Sequence, residues 1–245
     1  MIGLKLRKLA AGLSSKRNRR ALRHGVAPSI EHSRCFRHAK YNTVVDIGAN
    51  RGQFALFARA LFPRAKIVAF EPLSPPAAIF SMIFADDPLT RLHNVGIGPG
   101  ESAADMYVAA ADDSSSLLKP SARASAAFGT TVARLERVKL VRLASVLSAS
   151  EIVAPALLKL DVQGFERDAL LGCTDLLPHF DHVYAEISFV PLYERQPLAG
   201  AIIGWLNDRG FELRGVFNQF IDPLQGPIQA DALFARRAPA AAAAP

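Results

Sequence analysis

Cysteine is almost missing from this chain: Cys35 and Cys173 are the only two in 245 residues. They stand far apart and outside any metal-ligand spacing. Two free thiols in a reducing compartment are therefore expected, which predicts a cytoplasmic location. Long apolar runs are missing too. None reaches the roughly 18 residues of a membrane span, and no secretory signal with an apolar core and cleavage site is expected. The histidines (His24, His32, His38, His93, His179 and His182) fall into no metal spacing. Internal repeats are absent, and so is the G-x-G-x-x-G fingerprint of dinucleotide sites.

Acid is scarce in one place only. Residues 1–40 carry eleven Lys and Arg against Glu31 alone, while the whole chain has a net charge of +7. Residues 41–245 are then mildly acidic, which argues against a nucleic-acid groove across the body and predicts no nucleic-acid partner. The charge step divides the chain into a basic N-terminal extension (1–40), a main domain (41–237) and an alanine- and proline-rich tail (238–245), expected to fray. In the extension Leu4, Leu6, Leu9 and Leu13 alternate with cations. Weak contact with an anionic membrane surface is one reading, a solvated and partly helical arm the other.

Half of the residues are hydrophobic, enough for one α/β domain with a full core. From Tyr41 onward short apolar runs alternate with helical patterns. Strands are expected at 43–47, 66–71, about 90–97, 156–161 and 182–187, with a further short strand at 100–108 and an extended stretch at 132–143. Helices are expected at about 52–61, after Pro75-Pro76, at 145–151 with Ser145 as cap, from near Gly164, and at 198–209, where Gly210 stops the last. Residues 109–130 read as a polar loop. Strands at about 211–220 and 231–236 form an antiparallel edge pair. The sum is a Rossmann-like α/β fold of roughly seven strands, mostly parallel with an antiparallel C-terminal pair. In such sheets a ligand sits beyond the carboxyl ends of the strands. Asp46, Glu71, Asn94, Asp161 and Glu186 all fall at or near those ends.

The first of these tips is the most informative. Thr43–Ile47 is β-branched and reaches Asp46, and Gly48-Ala49-Asn50-Arg51-Gly52 follows. Two glycines let the backbone approach a ligand closely. The spacing is not that of a dinucleotide loop, which leaves room for a pyrophosphate at a helix N-terminus. S-adenosylmethionine carries no phosphate, and its ammonium and sulfonium suit an acid beside the loop. Glu71, at the tip of the second strand, can accept hydrogen bonds from both ribose hydroxyls. Gly48, Asn50 and Gly52 would line the methionine portion. Asp46 would orient the loop or reach the ammonium through water, and its structural alternative is a helix cap. Asn94, Ser115 and Ser116 are candidates near adenine or the acceptor. Asp161 is the leading catalytic candidate, as general base, metal ligand or helix cap; Glu186 is the second. Glu166 reads as structural. A Mg²⁺ site of Asp161, Glu186 and water is chemically open, but no dedicated cage is indicated.

The segments VVDIGANRGQF (44–54), VAFEP (68–72), HNVGIG (93–98), SSSLL (114–118), LLKLDVQGFERDAL (157–170) and VYAEISFVPLY (183–193) together resemble the FkbM family of S-adenosylmethionine-dependent methyltransferases. The resemblance covers about residues 41–235. It implies the seven-stranded methyltransferase fold and O-methylation of a hydroxyl on a sugar, glycolipid or polyketide-type acceptor. The family's acid before the helix preceding the 156–161 strand is replaced here by Ala144, in Arg142-Leu143-Ala144-Ser145. An inactive cofactor- or glycan-binding module of the same fold is therefore a second reading. No Asn/Asp-Pro-Pro-Tyr-type segment follows residue 161, which disfavours N-methylation. The oligomeric state has no signature in the sequence.

Overall fold

Val44, Val45, Asp46 and Ile47 alternate across a buried strand, so that Val45 and Ile47 enter one core and Val44 the other. That alternation on a central strand sets up two layers. The computed structural model describes residues 2–110 and 114–238, with backbone alone for residues 2–6 and 9. The alanine-rich tail beyond residue 238, residues 111–113 of the polar segment, and the side chains of Leu4, Leu6 and Leu9 lie outside the described residues. Leu13, the last of the alternating leucines, is exposed.

The main sheet contains β1 (Thr43–Ile47), β2 (Lys66–Phe70), β3 (Thr90–His93), β7 (Ala156–Leu160), β8 (His182–Ser188), β9 (Phe211–Asp222) and β10 (Gly226–Arg236). Their order is β3-β2-β1-β7-β8-β10-β9. The first five run parallel, and β10 is antiparallel to both β8 and β9. This is the seven-stranded, mostly parallel sheet expected from the sequence. The chain winds outward from β1 to β3 and then returns to β7 on the other side. Such a reversal leaves a crevice over the strand ends where it occurs.

Helices α6 (Glu166–Gly172) and α7 (Ala199–Asn207) cover the face of Val45 and Leu158. Helices α3 (Gln53–Leu61) and α4 (Ser74–Phe84) cover the face of Val44 and Leu157. Two more helices, α1 (Ile2–Leu13) and α2 (Lys16–Arg23), precede the sheet. Residues grouped with the extension by charge contribute to this second core: Ala21, Val26 and Phe36 are buried there. The arm's cations meet acids of the body. Arg20 lies 2.9 Å from Asp86 and Arg17 lies 3.2 Å from Asp87.

Four expectations need correction. The 90–97 strand breaks at Asn94, whose amide donates to the Glu71 and Pro72 carbonyls. The chain then enters a second sheet as β4 (Gly96–Ile97). That sheet, β4-β6-β5, also takes β5 (Ser102–Ala109) and β6 (Val132–Val141). The 145–151 helix is replaced by two 3-10 turns, Leu143–Ser145 and Ala149–Glu151; Ser148 and Glu151 form the capping box and Ser145 caps nothing. The polar 109–130 segment is not all loop, for Ser121 caps α5 (Ala122–Phe128). The last strand begins at Gly226, not 231. Pro227 is tolerated there because it lies past Gln229, the last β10 residue to pair with β8.

Asp87 ties these layers together. Its Oδ2 accepts from Arg59 Nε at 2.8 Å and from the Thr90 hydroxyl at 2.8 Å, and its Oδ1 from the Leu89 N–H. Burial would raise its pKa, but Thr90, Arg59 and the Leu89 N–H more than offset this and hold it below the usual carboxylate value. Its stabilising contribution is therefore present above the unfolded pKa and is lost as acid titrates the folded group. Asp87→Ala strands the buried Arg59 guanidinium and should lower stability by about 3 kcal/mol. Arg17→Ala removes a more exposed partner and should cost less than about 1 kcal/mol. Urea midpoints of the two variants check this.

Candidate functional site

The strand register places a charge under the first loop. Asp46 on β1 pairs directly with Lys159 on β7, so both side chains leave the same face of the sheet. Both are buried, with the ammonium 3.0 Å from Asp46 Oδ1. Lys159 also donates to the Gly48 carbonyl at 3.2 Å and lies 3.8 Å from Asp161 Oδ2 and 5.5 Å from the centre of the Phe54 ring. Burial alone would lower the Lys159 pKa, yet the Asp46 and Asp161 carboxylates more than offset it and hold the ammonium charged. Burial raises Asp46, and Lys159 counters that rise. Asp46 thus orients the loop through Lys159, and the helix-cap alternative falls, because Gly52 is the cap of α3.

Above this pair lies a cleft of about 290 Å³. Gly48, Asn50, Glu71, Ser115 and Asp161 line it, as do Lys159 and Gln163. An apolar wall comes from Phe70, Leu73, Ile97, Met106, Leu117 and Phe165. Glu71 is 5% exposed and fixed at both oxygens: Oε2 accepts from the Asn50 N–H at 2.9 Å, Oε1 from the Leu73 N–H at 2.8 Å. The loop's own N–H groups are engaged. Gly48 and Ala49 donate to the Phe70 carbonyl, Asn50 to Glu71, Arg51 to the Asn50 side chain and Gly52 to the Ala49 carbonyl. These five donors are unavailable to a pyrophosphate.

The glycines have a different reason from the one expected. Gly48 has φ +78°, and a Cβ there would lie 1.9 Å from the Asp161 carbonyl oxygen; Gly52 has φ +96°, and its Cβ would strike the Phe80 and Phe84 rings. Both spaces are filled by the protein itself, not left for a ligand. Gly52 does not line the cleft, and neither do Asp46, Asn94, Ser116 or Glu186. Asn94 holds the turn after β2. Ser116 donates to the Gln163 carbonyl at 2.6 Å.

Gln163 was not singled out in the sequence, yet it joins the candidate acids. Its amide donates to Asp161 Oδ1 at 2.9 Å and to Glu186 Oε2 at 3.3 Å, and its carbonyl oxygen accepts from the Tyr193 hydroxyl at 2.9 Å. Its left-handed backbone, φ +54°, is unusual for a side chain of this size. Asp161 and Gln163 also line a second cavity of about 250 Å³, with Ser114, Phe128, Thr130 and Tyr193 among its other walls. The two residues therefore stand in the wall common to both chambers. Asp161 does not cap α6, whose N-cap is Phe165 with no side-chain bond. Glu186 is half-buried and its Oε1 accepts from Gln229 at 2.7 Å. Burial, then the charges of Asp161, Glu166 and Asp231, raise its pKa well above the ordinary value.

Glu166 accepts from the Val162 and Gly164 N–H groups with one oxygen, closing the turn that carries Asp161. This is the structural role expected of it. Burial pushes its pKa up to about 7 against those two bonds. Ala144 is exposed, and its turn lines neither chamber. Among the described residues, no cluster of three or more His, Cys, Asp or Glu is placed to hold a metal ion, and no helix is long and apolar enough to cross a membrane.

An open, doubly wound sheet with a cleft at its switch point defines a Rossmann-like α/β domain. The methyltransferase FkbM domain model matches residues 46–213, and the chain belongs to that family. Membership implies S-adenosylmethionine as methyl donor. Solved structures similar to this chain include an rRNA methylase from Streptococcus thermophilus (13% identity, 80% of this chain and 87% of the other, TM-score 0.44). A protein of the NADB-Rossmann superfamily from Streptococcus agalactiae shows 9% identity over 85% and 68%, with a TM-score of 0.48. Precorrin-6y C5,15-methyltransferase from Geobacter metallireducens shows 9% over 83% of each chain, at 0.43. No curated protein matches.

The cleft's residues fit that donor. Glu71 is a fixed acceptor, the loop lacks a phosphate cradle, and an apolar wall suits a purine. Glu31 Oε2 and Gln53 Oε1 are buried acceptors in the lining without a hydrogen-bond partner.

Two stability measurements test this geometry. Asp46→Asn or Lys159→Met alone should each cost about 3–5 kcal/mol, and the double variant much less than their sum, in a urea-unfolding cycle. A Glu166 pKa above the ordinary 4.5 means that its contribution is full below that value and is lost as pH rises towards about 7. Glu166→Gln should therefore be relatively more stable than the parent at about pH 8 than at about pH 5, by up to about 3 kcal/mol.

Proposed function

We propose that the protein is an S-adenosylmethionine-dependent O-methyltransferase acting on a hydroxyl of a sugar, glycolipid or polyketide-type small molecule. The observation that carries the reading is the position of Asp161 in the wall common to two chambers, one beside Glu71 and one outside the first cleft. When bound, S-adenosylmethionine supplies a methyl group on a sulfonium. Glu71 binds the ribose hydroxyls: it is an acceptor in the cleft lining, held there by the Asn50 and Leu73 N–H groups. Gly48 and Asn50 line the methionine portion, and Ser115 lies towards the apolar wall. The second chamber, with Phe128 and Tyr193 beside Ser114, Thr130 and Gln229, suits an acceptor with both apolar and hydroxyl surfaces.

A hydroxyl is a weak nucleophile near neutral pH, so its proton needs a destination. Asp161 takes it. Gln163 holds Asp161 Oδ1, and among the described residues no hydrogen bond reaches Oδ2. Glu186 acts through Gln163 as a positioning residue, because its oxygens are held by the Gln163 and Gln229 amides. Asn94 and Ser116 act further out, on the backbone that carries Glu71 and Gln163. The inactive-module reading rests on Ala144 alone, and that position lines neither chamber.

Glu71→Ala should weaken S-adenosylhomocysteine binding about tenfold, or about 1.4 kcal/mol, by calorimetry. Asp161→Asn should keep that affinity within about twofold and lower methylation in a screen of hydroxylated acceptors by about 10²-fold or more. Unchanged affinity in the first variant removes the ribose assignment; undiminished turnover in the second removes the base.

A further inference from the structure

We infer that the segment ahead of the first strand belongs to the donor site, and that Lys8 and Glu31 recognise the amino-acid end of the bound nucleoside, an α-ammonium and α-carboxylate. The inference rests on reading the cleft as the S-adenosylmethionine site. Lys8 of α1 and Ser29, Glu31 and His32 line the same cleft as Gly48, Asn50 and Glu71. Lys8 Nζ stands 2.9 Å from Glu31 Oε1. Glu31 Oε2 is buried without a hydrogen-bond partner, and so is Gln53 Oε1 at the start of α3. A cation, a carboxylate with one unused oxygen and an amide oxygen in one lining complement a zwitterion. The ammonium finds Glu31 and Gln53, and the carboxylate finds Lys8.

The acid expected to serve the ammonium does not serve it. Asp46 is under the loop, outside the lining, and countered by Lys159. Glu31 supplies the negative charge that the loop itself lacks. The segment is also anchored. The Ser29 N–H donates to the Gln53 carbonyl at 3.1 Å. His32 Nδ1 lies 2.9 Å from the Tyr184 hydroxyl and 3.4 Å from Asp231. Phe36 packs against Tyr184 at 4.9 Å between ring centres. Lys8 and Glu31 are themselves about one-third exposed, and a pair so solvated contributes little to the fold. Substituting them therefore tests binding without unfolding the domain.

The test is calorimetry on the full chain with two probes, S-adenosylhomocysteine and 5′-methylthioadenosine, which has the same nucleoside but no amino-acid end. Glu31→Gln and Lys8→Met should each bind S-adenosylhomocysteine about tenfold more weakly and leave 5′-methylthioadenosine within about twofold. The exchanged pair Lys8→Glu/Glu31→Lys keeps a salt bridge and should show the same selective loss. Glu71→Ala should weaken both probes. Equal losses for both probes in the Lys8 and Glu31 variants, or none for either, overturn the inference, while the Glu71→Ala result decides the nucleoside site separately. Failure of the parent protein to bind either probe overturns both readings.

Discussion

A buried ammonium between two strands carries the weight of this site. Lys159 sits on β7 where an apolar residue would be the ordinary choice, and Asp46 faces it across the ladder. A buried charge is tolerable only with a partner and hydrogen bonds. Lys159 meets that condition and uses it: beside its ion pair with Asp46 the ammonium holds the Gly48 carbonyl, and so fixes the loop that closes the cleft floor. Gly48 must be glycine because the β7 end comes so near. Loop shape, the position of Asp161 and the charge under the cleft are one arrangement.

The rest of the site is set by similar indirect support. Glu71 is pinned by the loop's Asn50 N–H and by the start of α4, so the tips of β1 and β2 fix each other. Gln163 draws Asp161, two residues before it, together with Glu186 and Tyr193 of the distant 183–193 segment. Glu166 closes the turn from beneath. Three of these contacts join distant parts of the chain and the others are local, and each holds a group in place.

That distinction explains what could be read in advance. Strands with β-branched runs and polar tips, such as 43–47 and 156–160, announce themselves because their burial pattern is local. The count of roughly seven mostly parallel strands and the gathering of Asp161 and Glu71 at one edge follow from it. Lys159 was legible in principle: a lone lysine in Ala156–Leu160 cannot be buried unpaired, and the register with 43–47 points to Asp46. Gln163 gave no such signal, since its partners lie about 30 residues away or are acids that looked sufficient alone. The second sheet was hidden because β4 has two residues and depends on β6, more than 40 positions later. The helix expected at 145–151 is split because Ser148 starts a second turn there with Glu151 in its capping box, and Glu151 also pairs with Lys66 and Arg91.

The two chambers share Asp161 and Gln163 and no other lining residue. On the proposed reading, that partition is all that separates the spent nucleoside from the modified acceptor. On the same reading an acceptor can stay seated while the larger compartment, the one beside Glu71, is recharged.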